Sequence, residues 1–190
     1  MFLESSNHYP EKRGSIEVIC GSMFSGKTEE LLSRVNKVRF ANLKAKIFKP
    51  KIDSRYDAKK VVSHDGNSIE SIVVENSDKI LKYCNEAHVI AIDEAQFFDN
   101  DLLVICNKLA AKGIRVIVAG LDMDYLGKPF GPIPNLLAIA EHITKVHAVC
   151  IDCGAPANHS FRICKDSELV KLGEKGEYKP LCRHCFNNEK

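Results

Sequence analysis

The run Gly21-Ser22-Met23-Phe24-Ser25-Gly26-Lys27-Thr28 has the G-x-x-x-x-G-K-T spacing of a phosphate-binding loop. Its glycines let the backbone wrap closely, so that successive N–H groups point inward at an anion. Lys27 supplies a positive charge for the outer phosphates of a nucleoside triphosphate, and Thr28 a hydroxyl for Mg2+. Asp93-Glu94-Ala95-Gln96 brings the acids that such chemistry needs. An aspartate closing an apolar strand is a second Mg2+ anchor. A carboxylate beside it, Glu94, can take the proton of an attacking water or alcohol. These residues read as ATP-driven phosphoryl transfer. Alone they do not separate an ATPase from a small-molecule kinase.

A second constellation lies near the C-terminus. Cys150, Cys153, Cys182 and Cys185 form two C-x-x-C pairs. Four thiolates so spaced suit a tetrahedral Zn2+, and with every position filled by protein the ion is structural. His184, between the last two cysteines, is the alternative ligand. Cys20, Cys84 and Cys106 sit in or beside apolar segments and read as small buried hydrophobes; Cys164 is isolated. Phe97, Phe98, Tyr125, Phe130 and Tyr178 follow expected strand ends or lie in loops. Phe98 reads as core. Tyr125 and Tyr178 stand among glycines and charges, where a flat ligand could stack on them. Residues 173–178 read as a mobile lid that excludes water from the reaction. Asp53-Ser54-Arg55-Tyr56 reads, on composition alone, as a solvated charge cluster.

The elements that must position these groups alternate. Apolar runs at 16–20, 45–48, 69–74, 88–92, 114–120 and 143–146 predict strands. Segments 28–42, 77–85, 101–112 and 135–142 predict helices. Leu31, Leu32, Val35 and Val38 give the first helix an apolar face. Residues 89–92 are uniformly apolar, as a central strand covered on both faces requires. The fold expected is α/β: a doubly wound, mostly parallel sheet of the P-loop (RecA-like) kind, with ligands at the carboxyl ends of its strands. Residues 49–67 read as a loop or hairpin. Beyond about residue 149 apolar runs shorten, with strand-like pieces at 160–164 and 168–172. The expected organisation is a flexible arm at 1–13, a nucleotide-binding domain at 14–147 and a zinc-ribbon or lasso domain at 148–190.

With 190 residues and a formal net charge of +2, the chain gives no support for a nucleic-acid polyanion as main partner. No stretch approaches a membrane span and no export leader is visible, so a reducing cytoplasm without disulfides is expected.

GSMFSGKT at 21–28, DSRY at 53–56, DEAQFF at 93–98, GLDMDYLGKPFG at 120–131 and the two cysteine pairs occur together and in order. In this combination the chain resembles the zinc-containing (type II) thymidine kinases, over residues 14–186. The resemblance implies transfer of the ATP γ-phosphate to the 5′-hydroxyl of deoxythymidine in pyrimidine deoxynucleotide salvage. It implies that Glu94 is the general base, and that residues 21–28, Asp93 and Gln96 bind ATP with Mg2+ at Thr28 and Asp93. Asp53 and Arg55 then move from surface to the phosphates and the sugar hydroxyl. Met23, Phe97, Leu121, Tyr125, Phe130 and Ser160 match positions around the thymine. Leu169, Val170, Lys171, Leu172, Gly173 and Tyr178 match contacts of a zinc-held lasso over the nucleoside. Tyr125, Ser160 and Lys171 depart from the residues many relatives carry, namely phenylalanine, threonine and an apolar residue. A homotetramer and feedback inhibition by dTTP are implied by analogy. The rival reading is a nucleic-acid-dependent P-loop ATPase with a zinc ribbon, because D-E-A-Q also follows strands in helicase motors. The chain is short for two motor domains and is not strongly basic. A non-enzymatic binding module is disfavoured by intact Lys27, Thr28, Asp93 and Glu94.

Overall fold

A computed structural model describes residues 13–52, 60–62, 68–163 and 177–189. Six parallel strands form the central sheet: β1 (Ser15–Cys20), β2 (Ala45–Pro50), β5 (Ile72–Val74), β6 (Val89–Ile92), β7 (Arg115–Gly120) and β8 (His142–Lys145), in the order β5-β2-β6-β7-β1-β8. The pairing runs in register, with Ser15 through Cys20 opposite Arg115 through Gly120. Each crossover returns the chain to the same edge, so the phosphate loop after β1, the acids after β6 and the loop after β7 meet at the carboxyl ends.

Alternation along the strands sends side chains to two faces. On one face Ile16, Val18, Ile90, Ile92, Val116 and Val118 are buried beneath α2 (Leu102–Ala111) and α3 (Ile133–Ile139). On the other, Ile19, Ile47, Ala91, Ile117 and Ala119 receive Leu31, Leu32, Val35 and Val38 of α1 (Lys27–Phe40). Helices on both faces make this the expected doubly wound fold. Glu17 shares the α1 face and is buried there against Arg34 and Arg115. Among the described residues, no helix is long and apolar enough to cross a membrane.

After β8 the chain builds smaller pieces. β9 (Ala148–Val149) pairs antiparallel with β10 (Pro156–Ala157), and β11 (His159–Arg162) with β12 (Tyr178–Leu181), followed by α4 (Arg183–Asn188). Ala148, Cys150, Ala157, Leu181 and Phe186 form a core of their own, against which Phe24 of the phosphate loop packs.

Several expected elements differ. The strand expected at 69–74 is two: β4 (Ser68–Glu70) pairs antiparallel with β3 (Lys60–Val62), while β5 joins the main sheet. The 49–67 stretch is thus partly a hairpin. The helix expected at 77–85 is a 3-10 helix, Ser77–Tyr83. Asp99, 22 residues further along the chain, accepts from both the backbone N–H and the hydroxyl of Ser77 and holds the start of this turn. α3 begins two residues before the expected start, because Pro134 lies in the first turn, where a missing N–H costs nothing. It ends earlier too, since His142 opens β8. Tyr178 is a buried strand residue rather than part of a loop. The expected strand at 168–172, Cys164 and all of the expected N-terminal arm but residue 13 lie outside the described residues.

Candidate active site

The loop between β1 and α1 is shaped by its own backbone. A Cβ on Gly21 would lie 2.2 Å from the Val146 carbonyl oxygen, so only glycine lets β1 turn there against the β8 edge. Gly26 takes the left-handed conformation that starts α1, at φ 83°. Ser25 Oγ donates to the Ser22 carbonyl at 2.7 Å and closes the loop internally. The small C-terminal unit braces the loop from outside. Ser22 Oγ donates to the Ala157 carbonyl at 3.3 Å, and Ser160 Oγ accepts from the Met23 N–H at 2.9 Å.

Lys27 Nζ donates to the Ser22 carbonyl at 2.6 Å. Desolvation pushes the Lys27 ammonium below its ordinary pKa; Glu94, Asp93 and Asp122 oppose this with negative charge. Thr28 Oγ1 donates to Asp93 Oδ2 at 3.2 Å. Burial raises Asp93 from 3.8 to about 7, repulsion from Glu94 adds to it, and the Glu94 N–H, Lys27 and Thr28 work against it. Glu94 follows immediately and is half-buried, with a left-handed backbone at φ 51°. Gln96 is buried, with its amide between Glu94 and the main chain of Leu121.

Two oxygen ligands at right angles around Mg2+, each about 2.1 Å away, stand about 3.0 Å apart. The 3.2 Å between Thr28 Oγ1 and Asp93 Oδ2 fits such a pair. Four sulfurs about 2.3 Å from one Zn2+ stand about 3.8 Å apart. The thiols of Cys150, Cys153, Cys182 and Cys185 all lie within 4.8 Å of one another, with Cys153 and Cys182 at 3.6 Å. The donor set fits zinc. His184 is not among that group, and its Nε2 lies 3.2 Å from Asn188 Nδ2 instead. Cys20, Cys84 and Cys106 are buried as expected, and burial pushes the Cys106 thiol up to about 12.

An apolar wall lies beside the acids. Met23, Phe97, Leu121, Tyr125 and Phe130 are all half-buried, and the Phe97 and Phe130 rings meet edge to face at 5.9 Å. The segment from Leu121 to Gly131 is held as a tight loop by Asp124, whose Oδ1 accepts from the N–H groups of Leu126 and Lys128 at 2.9 Å. Phe98 is in the core. The structure links the 21–28 loop to Asp93 through Thr28 and to Ser160 through Met23, Glu94 to Leu121 through Gln96, Phe97 to Phe130, and Tyr125 to Tyr178 through Arg162. Asp53, Arg55, Leu169, Val170, Lys171, Leu172 and Gly173 lie outside the described residues.

Arg162, which sequence reading missed, contacts two of the expected site residues. Its guanidinium lies 3.8 Å from the Tyr125 ring centre and donates to Tyr178 Oη through Nε at 3.0 Å and Nη2 at 2.8 Å. The two tyrosines are linked through one buried cation. No local pattern marks Arg162; alternation within 159–162 is the only signal that it faces inward.

A family model described as thymidine kinase matches residues 14–186. A thymidine kinase of Bacteroides fragilis (strain YCH46) is 54% identical over 98% of this chain and 94% of its own length. One from Porphyromonas gingivalis (strain W83) is 54% identical over 98% of this chain and 92% of its own. One from Rhodothermus sp. (strain ITI 518) is 51% identical over 91% and 81%. Among solved structures, domain III of the Thermotoga maritima replication initiation protein DnaA covers 72% of this chain and 56% of its own, at 18% identity and TM-score 0.44.

Proposed function

We propose, because the chain belongs to the thymidine kinase family, that its phosphate loop and Glu94 together move the γ-phosphoryl group of ATP onto the 5′-hydroxyl of thymidine, giving dTMP. The observation that carries the division of labour is the contact of Thr28 Oγ1 with Asp93 Oδ2 at 3.2 Å, with Glu94 next in the chain. It brings a Mg2+-type oxygen pair and an acidic side chain to one edge of the sheet.

The N–H groups of residues 21–28 bind the phosphates, and Lys27 leaves the Ser22 carbonyl to balance their outer charge. Thr28 and Asp93 hold Mg2+, which when bound neutralises charge on the phosphate oxygens. Glu94 accepts the proton of the 5′-hydroxyl as oxygen attacks phosphorus. The bond from phosphorus to the bridging oxygen breaks, and ADP keeps that electron pair. Met23, Phe97, Leu121, Tyr125 and Phe130 form the surface for the thymine, with Ser160 and Tyr178 at its border. Asp53 and Arg55 serve the phosphates and sugar, and residues 169–173 cover the nucleoside. Cys150, Cys153, Cys182 and Cys185 hold a structural Zn2+ that keeps the 148–190 domain folded against the 14–147 domain. The family likeness further supports a cytoplasmic homotetramer acting in deoxynucleotide salvage under feedback by dTTP.

Glu94→Gln tests the assignment of the base. The variant should lose about 10²-fold or more in kcat while retaining nucleotide binding. A kcat close to the parent's would remove Glu94 from that role.

A further inference from the structure

We propose that Gln96 is a positioning residue for Glu94: its amide holds one carboxylate oxygen of the base and ties it to the main chain of the nucleoside wall. This rests on the reading of Glu94 as base.

Gln96 is only 3% exposed. Its Oε1 accepts from the Leu121 N–H at 2.9 Å, and its Nε2 donates to Glu94 Oε2 at 2.5 Å. The first bond fixes the second. An amide turned half a revolution would set two donors together at Leu121 and two acceptors together at Glu94, so the hydrogen-bond network allows one orientation. The seat is closed on two sides. A Cβ on Gly120 would come within 2.8 Å of Gln96 Oε1 and 2.7 Å of Ile133 Cδ1. A Cβ on Gly131 would come within 2.3 Å of the Gln96 carbonyl oxygen. A side chain at Gly120 would displace the Gln96 amide, and one at Gly131 would press on the Gln96 main chain.

Glu94 needs such support. Its left-handed backbone, φ 51°, is a sparsely populated state for a residue with a Cβ, and it persists where surrounding contacts enforce it. With Oε2 held by an amide N–H, the carboxylate cannot turn without losing a charge-assisted hydrogen bond. The other end of the amide is fixed to Leu121, and Phe97, next in the chain, meets Phe130 across the wall. The base is therefore located relative to the surface on which the nucleoside rests. Proton transfer from a hydroxyl is sensitive to that distance, since a misplacement of about 1 Å can cost about 10²-fold.

The test is a cycle of four zinc-replete full-length proteins: parent, Glu94→Gln, Gln96→Met and the double variant, assayed with Mg-ATP and thymidine. Gln96→Met preserves volume and removes both amide bonds. It should lower kcat by about 10- to 100-fold while both KM values stay within about threefold. In the Glu94→Gln background the same change should cost less than about twofold, because there is no base left to position. Should Gln96→Met not fold, Gln96→Leu replaces it in the same cycle. It has no donor for Glu94 and should give the same non-additive loss. Losses that multiply in the double variant would overturn the proposal, as would a raised KM for ATP at unchanged kcat, the behaviour of a phosphate ligand. An undiminished kcat in Glu94→Gln alone would remove the base and this proposal together, and it is read in that single variant.

Discussion

Replacing Glu17 with glutamine should loosen both ends of the phosphate loop. Glu17 lies on the strand before the loop and Arg34 on the helix after it, and they meet at 2.7 Å. Arg115 binds the other carboxylate oxygen at 2.5 Å. The Glu17 side chain is 4% exposed and Arg34 9%, so neither charge can turn to water. Glutamine keeps the shape but removes the charge and turns an NH2 group toward guanidinium donors. Losing one partner of a buried ion pair costs about 3–5 kcal/mol. The lower end applies, because Arg34 keeps Glu30 at 2.8 Å and Thr144 at 2.8 Å, and Arg115 is a quarter exposed. A loss of about 3 kcal/mol is large against a total of about 5–15 kcal/mol. The pH dependence gives a second reading. Burial pushes the Glu17 carboxyl up, but hydrogen bonds and charge from Arg115 and then Arg34 outweigh it and hold it below 4.5. A depressed carboxylate contributes stability that is full above its unfolded value and fades as pH falls through its folded value. Urea unfolding of parent and variant should therefore differ by about 3 kcal/mol at pH 7, with the gap closing below about pH 4.5. A gap under about 1 kcal/mol at pH 7, or one constant into acid, would refute the reasoning.

Two further perturbations address the C-terminal unit. Cys182→Ser should lower bound zinc well below one equivalent by metal analysis and expose the β11–β12 region to protease; His184, engaged with Asn188, should not compensate, and a full equivalent of zinc would contradict the four-thiol site. Tyr178→Phe removes the hydroxyl that accepts both Arg162 bonds, which is worth about 1–1.5 kcal/mol. It should raise the KM for thymidine by up to about tenfold with little change for ATP, and equal changes in the two KM values would count against a nucleoside-facing role.

The parts legible in the sequence are those whose physics is local. Four consecutive apolar residues at 89–92 announced a strand covered on both faces, and β6 lies between β2 and β7 with all four buried. The period of Leu31, Leu32, Val35 and Val38 located the α1 face in the same way. The loop at 21–28 and the paired cysteines are legible because their chemistry demands fixed spacing. What was hidden depends on distant partners. Ser77 starts a 3-10 turn because Asp99 reaches it. The 69–74 run divides because its halves find different strands. Arg162 joins Tyr125 to Tyr178, the latter 16 residues further along the chain, and leaves no local trace beyond the alternation within 159–162. Tyr178 reads as a loop residue among its neighbours, yet pairing with Arg162 makes it a strand residue.

The most direct test of the account follows the label from γ-labelled ATP, with Mg2+ and zinc-replete protein, across a panel of deoxynucleosides and single-stranded DNA. The account predicts label in dTMP, dependent on thymidine and indifferent to DNA. Unlabelled thymidine alongside DNA-stimulated release of inorganic phosphate would contradict it.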